Sequence, residues 1–200
     1  MPKIGLTGNF GMGKSTVLRL FRKLGAHTFD CDNIVRNLLK NPGIIQQLSR
    51  MLGEEILLRR RGKSMINKKR MAEIIFSHPA KRKAVEKIIH PAVVQQIEAA
   101  ESELVRKNPC PLIVFEVPLL FEAGLENRFD TIITVFTSRE RSSKRLLEKG
   151  FTPEEIKNRM RAQMPVYRKK ELSDFVIDNS GDLRTTELQV RKIVAALSSC

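Results

Sequence analysis

The stretch Gly8-Asn9-Phe10-Gly11-Met12-Gly13-Lys14-Ser15 constrains the chain more than any other part of it. It satisfies the pattern G-x-x-x-x-G-K-[ST], and its flanks are the ones that pattern needs. Residues 3–7 are a short apolar run halted at Gly8, which reads as a buried strand. After the loop, Val17, Leu20, Phe21 and Leu24 recur at helical spacing, and Gly25 supplies a C-cap. Strand, glycine-rich turn and helix in that order make an anion cradle. Glycines let successive backbone N–H groups point inward, and the positive end of the helix dipole faces the same space. Gly8, Gly11, Met12, Gly13, Lys14, Ser15 and Thr16 are therefore the expected contacts of a nucleotide's phosphates. Lys14 is expected to bridge the outer phosphates and Ser15 to ligate Mg²⁺. A chance glycine turn would lack the flanking strand and helix.

The rest of the chain continues the alternation. Residues 27–29 read as a second strand ending at Asp30, and a helix is expected at about 33–39, broken by Asn41-Pro42-Gly43. Further buried strands are expected at 112–115, 131–136 and 175–177, giving five in a parallel α/β sheet. The middle, 44–105, reads as almost wholly helical and strongly basic, with Arg59, Arg60, Arg61 and Lys63 in a charged turn near Gly62. Pro91 should end one helix at His90 and start another. Helices are expected at 139–149 and 154–163, the second opening on the capping box Thr152-Pro153-Glu154-Glu155. A last helix carries Val190, Ile193, Val194 and Leu197 on one face.

Charge narrows the partners. With 36 lysines and arginines against 22 acidic residues, the net +14 attracts polyanions, nucleic acid and polyphosphate nucleotides alike. Nucleic-acid readers pair basic patches with stacking aromatics, and this chain has one Tyr and no Trp. The 200 residues fit one sizeable domain. No apolar run reaches the roughly 20 residues of a membrane span, and no charged and apolar leader precedes the first strand, so neither a membrane nor secretion is expected. Cys31, Cys110 and Cys200 are odd in number and far apart, which suggests neither zinc nor a disulfide framework and fits a reducing cytoplasm.

Four further stretches decide among proteins with such a loop: Phe29-Asp30-Cys31-Asp32, Ile89-His90-Pro91, Glu116-Val117-Pro118-Leu119-Leu120-Phe121-Glu122 and Asp178-Asn179-Ser180-Gly181. Together with the loop they closely resemble the dephospho-CoA kinase family over nearly the whole chain. The resemblance implies ATP-dependent phosphorylation of the ribose 3′-hydroxyl of dephospho-CoA, the last step of coenzyme A synthesis. It implies a P-loop NTPase fold with a five-stranded parallel sheet flanked by helices, a helical substrate-binding insertion and a small lid. The domains would be 1–43, 106–138 and 171–200 for the nucleotide-binding core, 44–105 for the acceptor and 139–170 for the lid. The substrates implied are ATP, with Mg²⁺, and dephospho-CoA; the chain would be a monomer or small homo-oligomer.

Asp32 is the expected base for the acceptor hydroxyl, since it lies just past a strand end on the loop's edge of the sheet; the plainer alternative is a cap for the helix near Asn33. Asp30, Asp32 and Glu116 all remain candidates for supporting the metal. The resemblance implies that His90 contacts the acceptor and that Leu119, Leu120 and Phe121 form an apolar wall beside it. Core packing explains those three almost as well. Arg145 and Arg159, on the implied lid, would reach the triphosphate, and Asn179, Ser180 and Gly181 would cradle the adenine. Glu122 is expected to anchor the following turn. Glu116 stands where the family commonly has aspartate, Lys149 where it often has arginine, and Asn9, Phe10 and Met12 are bulkier than usual for the loop. Two other readings compete: another small-molecule or nucleoside monophosphate kinase, and a nucleic-acid-binding P-loop ATPase.

Overall fold

In chain order the elements begin with β1 (Lys3–Thr7), α1 (Lys14–Lys23), β2 (His27–Asp30), α2 (Cys31–Leu38) and α3 (Pro42–Leu52). Then come β3 (Leu57–Arg60), β4 (Lys63–Ile66), α4 (Lys68–Ser77), α5 (Pro79–Lys107), β5 (Ile113–Glu116) and β6 (Thr131–Phe136). The chain continues through α6 (Arg139–Glu148), α7 (Pro153–Arg161), α8 (Val166–Glu171), β7 (Phe175–Asp178) and α9 (Leu183–Leu197). This computed structural model describes residues 2–60, 62–108 and 110–197. Arg61 of the charged run and Cys200 lie outside the described residues.

The chain divides into two compact units. One takes the residues up to Asp30 together with those from Leu104 onward; the other is Cys31–Glu103.

The first unit is built on the five expected strands, all parallel, in the order β2-β5-β1-β6-β7. β5 is buried along its whole length, as are all but the first residue of β1 and all but the last of β6. Parallel strands covered on both faces read as unbroken apolar runs, which is why these three were legible without alternation. Ile4, Leu6, Val114, Ile133 and Ile177 from the sheet pack with Val17 and Phe21 of α1 and Val190 and Ile193 of α9. α1 ends as Gly25 foretold. Gly25 adopts φ +88°, its N–H reaches the Arg22 carbonyl at 3.1 Å, and the Ala26 N–H reaches that of Phe21 at 3.1 Å. Because β1 is paired on one side with β5 and on the other with β6, the loop after it leaves from the middle of the sheet's carboxyl edge, where ligands bind in open α/β sheets.

The second unit corrects two expectations. It is not wholly helical: β3 and β4 form an antiparallel hairpin pairing Leu57 with Ile66 and Leu58 with Met65. Ile66 is buried while Met65 and Leu58 are exposed, the period-two pattern of a half-buried ribbon. The basic residues around Gly62 (φ +73°) masked that alternation. Nor does Pro91 divide a helix; α5 runs through it. Proline costs the helix a backbone hydrogen bond, but Val85, Ile89, Val93 and Ile97, four residues apart, are all buried and carry one packed stripe past it. α2 also begins earlier than expected, at Cys31. No helix among the described residues is long and apolar enough to cross a membrane.

Candidate active site

The glycine loop is shaped by contacts with the carboxyl ends of its neighbouring strands. Gly13 is the N-cap of α1 with φ +90°, and a Cβ there would sit 2.0 Å from Asn179 Nδ2. A Cβ on Gly8 (φ +142°) would lie 2.4 Å from the Val135 carbonyl oxygen. Only glycine allows both the left-handed backbone and that approach. Met12, between them, is buried; its carbonyl accepts from Asn179 Nδ2 at 3.0 Å, and the Thr137 N–H points at its sulfur at 3.2 Å. The loop is thereby held against the ends of β6 and β7.

Lys14 opens α1, largely buried, with Nζ donating to the Asn9 carbonyl at 3.3 Å. Its ammonium group therefore folds back over its own loop, as a phosphate-bridging lysine must. The Ser15 hydroxyl donates to Glu116 Oε1 at 3.4 Å. Glu116 ends β5, in register with Asp30 at the end of β2. A hydroxyl and a carboxylate side by side are hard oxygen donors, the set Mg²⁺ takes when phosphates complete its shell. Among the described residues no group of three or more His, Cys, Asp or Glu could hold a metal, and a phosphate-completed site needs none.

Asn179 is 5% exposed and fully engaged. Besides donating to Met12, its Oδ1 accepts from the Thr186 hydroxyl at 3.2 Å, and its carbonyl accepts from Arg145 Nη2 at 3.2 Å. It thus joins the loop, α9 and α6. The neighbouring Arg141 donates to the Ser180 carbonyl. Arg159 comes from α7, whose capping box has formed as the sequence predicts. Its guanidinium lies 4.9 Å from the Phe10 ring centroid and 5.1 Å from that of Phe151.

A chain of partly buried polar contacts continues from the loop. The Phe10 N–H donates to Gln163 Oε1 at 2.8 Å, and Asn9 Nδ2 to the Met164 carbonyl at 3.0 Å. The Met164 N–H donates to Glu122 Oε1 at 2.8 Å, which also pairs with Lys169 Nζ at 2.9 Å. Lys169 Nζ donates in addition to the Pro118 carbonyl at 2.9 Å. Lys169 has no exposed surface. Burial pushes its pKa below the usual lysine range, against the pull of the Glu122 carboxylate. Glu122 does anchor chain, but the segment it anchors is 163–169 rather than the adjacent turn. Sequence reasoning missed Asn9, Gln163 and Lys169 in this role. Lys169 sits in the six-residue α8, too short to show a period, and nothing local marks it as buried.

The expected wall separates into three fates: Leu120 is wholly buried, Leu119 is 43% exposed and Phe121 is intermediate. The first unit thus brings together the loop, Glu116, Arg145, Arg159 and Asn179, and it also contains Leu119 and Phe121. Asp32 and His90 belong to the second unit. Asp32 is exposed in the first turn of α2, inside the helix rather than capping it, and His90 is partly exposed on α5.

The model of the dephospho-CoA kinase family matches residues 3–185. The chain belongs to that family. It is 34% identical to the dephospho-CoA kinase of Aquifex aeolicus over 199 residues, 99% of this chain and 98% of that one. It is 37% identical to that of Geobacter metallireducens over 192 residues, 95% and 94% of the two chains. A crystal structure from Thermus thermophilus superimposes with a TM-score of 0.84 at 31% identity, over 99% of this chain and 98% of that one. The parallel sheet and P-loop described above are therefore a kinase scaffold within this family.

Proposed function

We propose that the chain transfers the γ-phosphoryl group of ATP to the ribose 3′-hydroxyl of dephospho-CoA, giving coenzyme A and ADP. The observation that carries this is the loop at residues 8–15, strapped to Asn179 and Thr137, with Lys14 folded over it and Ser15 beside Glu116, in a chain matched by the family from residue 3 to residue 185. Phosphoryl transfer needs in-line positioning and charge neutralisation more than covalent help from the protein. Gly8, Gly11, Met12, Gly13 and Thr16 present the loop's backbone to the phosphates. Lys14 bridges the outer phosphates, with Arg145 and Arg159 offsetting charge on the transferred group. Ser15 and Glu116 would hold Mg²⁺, whose charge neutralises the phosphate oxygens when it is bound. Asp32 takes the proton from the 3′-hydroxyl as that oxygen bonds to the γ-phosphorus and the bond to ADP breaks. His90, Leu119 and Phe121 are assigned to the acceptor, in keeping with residues 44–105 as its domain and 139–170 as a lid. Asn179 acts at the nucleotide by fixing Met12 and Arg145. A cytoplasmic enzyme acting on small molecules, as monomer or small homo-oligomer, completes the reading.

Turnover of Mg-ATP with dephospho-CoA, compared with adenosine, gluconate and nucleoside monophosphates, tests it; equal rates on a nucleoside monophosphate would defeat the acceptor assignment. Asp32→Asn should lower kcat with dephospho-CoA about 100-fold or more and leave ATP affinity within a few-fold. Loss of ATP affinity at an unchanged rate per bound ATP would remove Asp32 from the role of base.

A further inference from the structure

Arg159 is held in an unusual way for an arginine of so basic a chain. Three nearby arginines donate to the protein, Arg145 to the Asn179 carbonyl, Arg141 to that of Ser180 and Arg168 to Glu171. Among the described residues Arg159 donates no hydrogen bond and forms no ion pair within 4 Å. The carboxylate one turn earlier on α7, Glu155, feels the Arg159 charge but bonds the Thr152 N–H at 2.8 Å and its hydroxyl at 3.1 Å instead. What does hold Arg159 is a pair of rings, Phe10 from the glycine loop and Phe151 from the link between α6 and α7. They meet each other edge to face, centroids 5.0 Å apart at 81°. The guanidinium is about equally close to both. Phe10 is fixed in turn, since its N–H is bonded to Gln163.

A cation on aromatic faces keeps its N–H groups available, because the attraction comes from the ring quadrupoles and takes up no donor. A carboxylate partner in the same place would occupy the guanidinium fork and oppose an incoming anion. We infer that Phe10 and Phe151 are positioning residues that hold Arg159 beside the phosphate loop with its donors open for the phosphate oxygens of the nucleotide. This rests on the role proposed above for Arg159 and goes beyond it in naming what sets that side chain in place.

A double-mutant cycle on turnover of Mg-ATP with dephospho-CoA tests it, using Phe10→Leu, Phe151→Leu, Arg159→Ala and the two combinations with Arg159→Ala. Each leucine variant alone should lower kcat by about 2- to 5-fold, the size of a cation–π contact at an exposed guanidinium, with the KM for dephospho-CoA unchanged. Phe10→Tyr should restore most of the rate. In the Arg159→Ala background neither leucine substitution should cost anything further. Full additivity for both rings would overturn the clamp and leave Arg159 its role. Arg159→Ala turning over at the wild-type rate would overturn that role and the clamp with it. Phe151 lies outside the loop, so an effect of Phe10→Leu through the loop backbone alone is recognised by Phe151→Leu behaving as wild type, which also overturns the clamp.

Discussion

Lys169 has no exposed surface, yet it carries an ammonium group paired with Glu122 and bonded to the Pro118 carbonyl. A buried pair is costly to assemble and costlier to halve. Lys169→Met should destabilise the protein by about 3–5 kcal/mol, read as a lower urea midpoint with unchanged slope, and pairing it with Glu122→Leu should recover part of the loss. A wild-type midpoint for Lys169→Met would mean that Glu122 is satisfied by Met164 alone. Residues of this kind are where a sequence is least informative. Lys14, Ser15 and the loop glycines announce themselves because their chemistry needs fixed spacing within eight positions. Lys169 and Glu122 meet only through the fold, and a lysine beside Arg168 and Lys170 reads as one more solvated charge.

The capping box of α7 shows the opposite case, a local rule strong enough to be read in advance. Thr152 accepts from the Glu155 N–H at 3.2 Å, while the Glu155 carboxylate accepts from the Thr152 N–H at 2.8 Å. Those bonds hold Glu155 below its ordinary value of 4.5. A carboxylate depressed in the folded state stabilises it above that ordinary value, and the contribution is lost as pH falls through the lower, folded one. The Tm gap between wild type and Glu155→Ala should therefore be constant at neutral pH and narrow in acid. A gap independent of pH would show that the hydroxyl caps without the carboxylate. Other elements resisted reading because two signals were at odds. At β3 and β4 a dense run of positive charge hid a short alternation. At Pro91 a chemical breaker stood on an intact apolar stripe, and packing along Val85, Ile89, Val93 and Ile97 outweighed it.

For the molecule as a whole, the parallel sheet was legible because its inner strands are apolar throughout and its loop motif fixes the direction of the first. A ligand bound only by the folded state stabilises it by mass action, about 2.7 kcal/mol at a hundredfold excess over Kd. In a chain of this length that is a rise in Tm of about 5–10 °C. Mg-ATP should produce it in the wild type, and Lys14→Ala should lose most of it while melting normally without nucleotide; an equal rise in both would place the nucleotide elsewhere. The sheet order has one more implication. β1 is flanked on both sides, so the loop hangs from a strand that has no free edge along which to slip or twist. The strand thus fixes where the turn begins, while Gly8 and Gly13 fix how it is seated, since Val135 and Asn179 leave no room for a Cβ at either; retuning of affinity is confined to the positions between them.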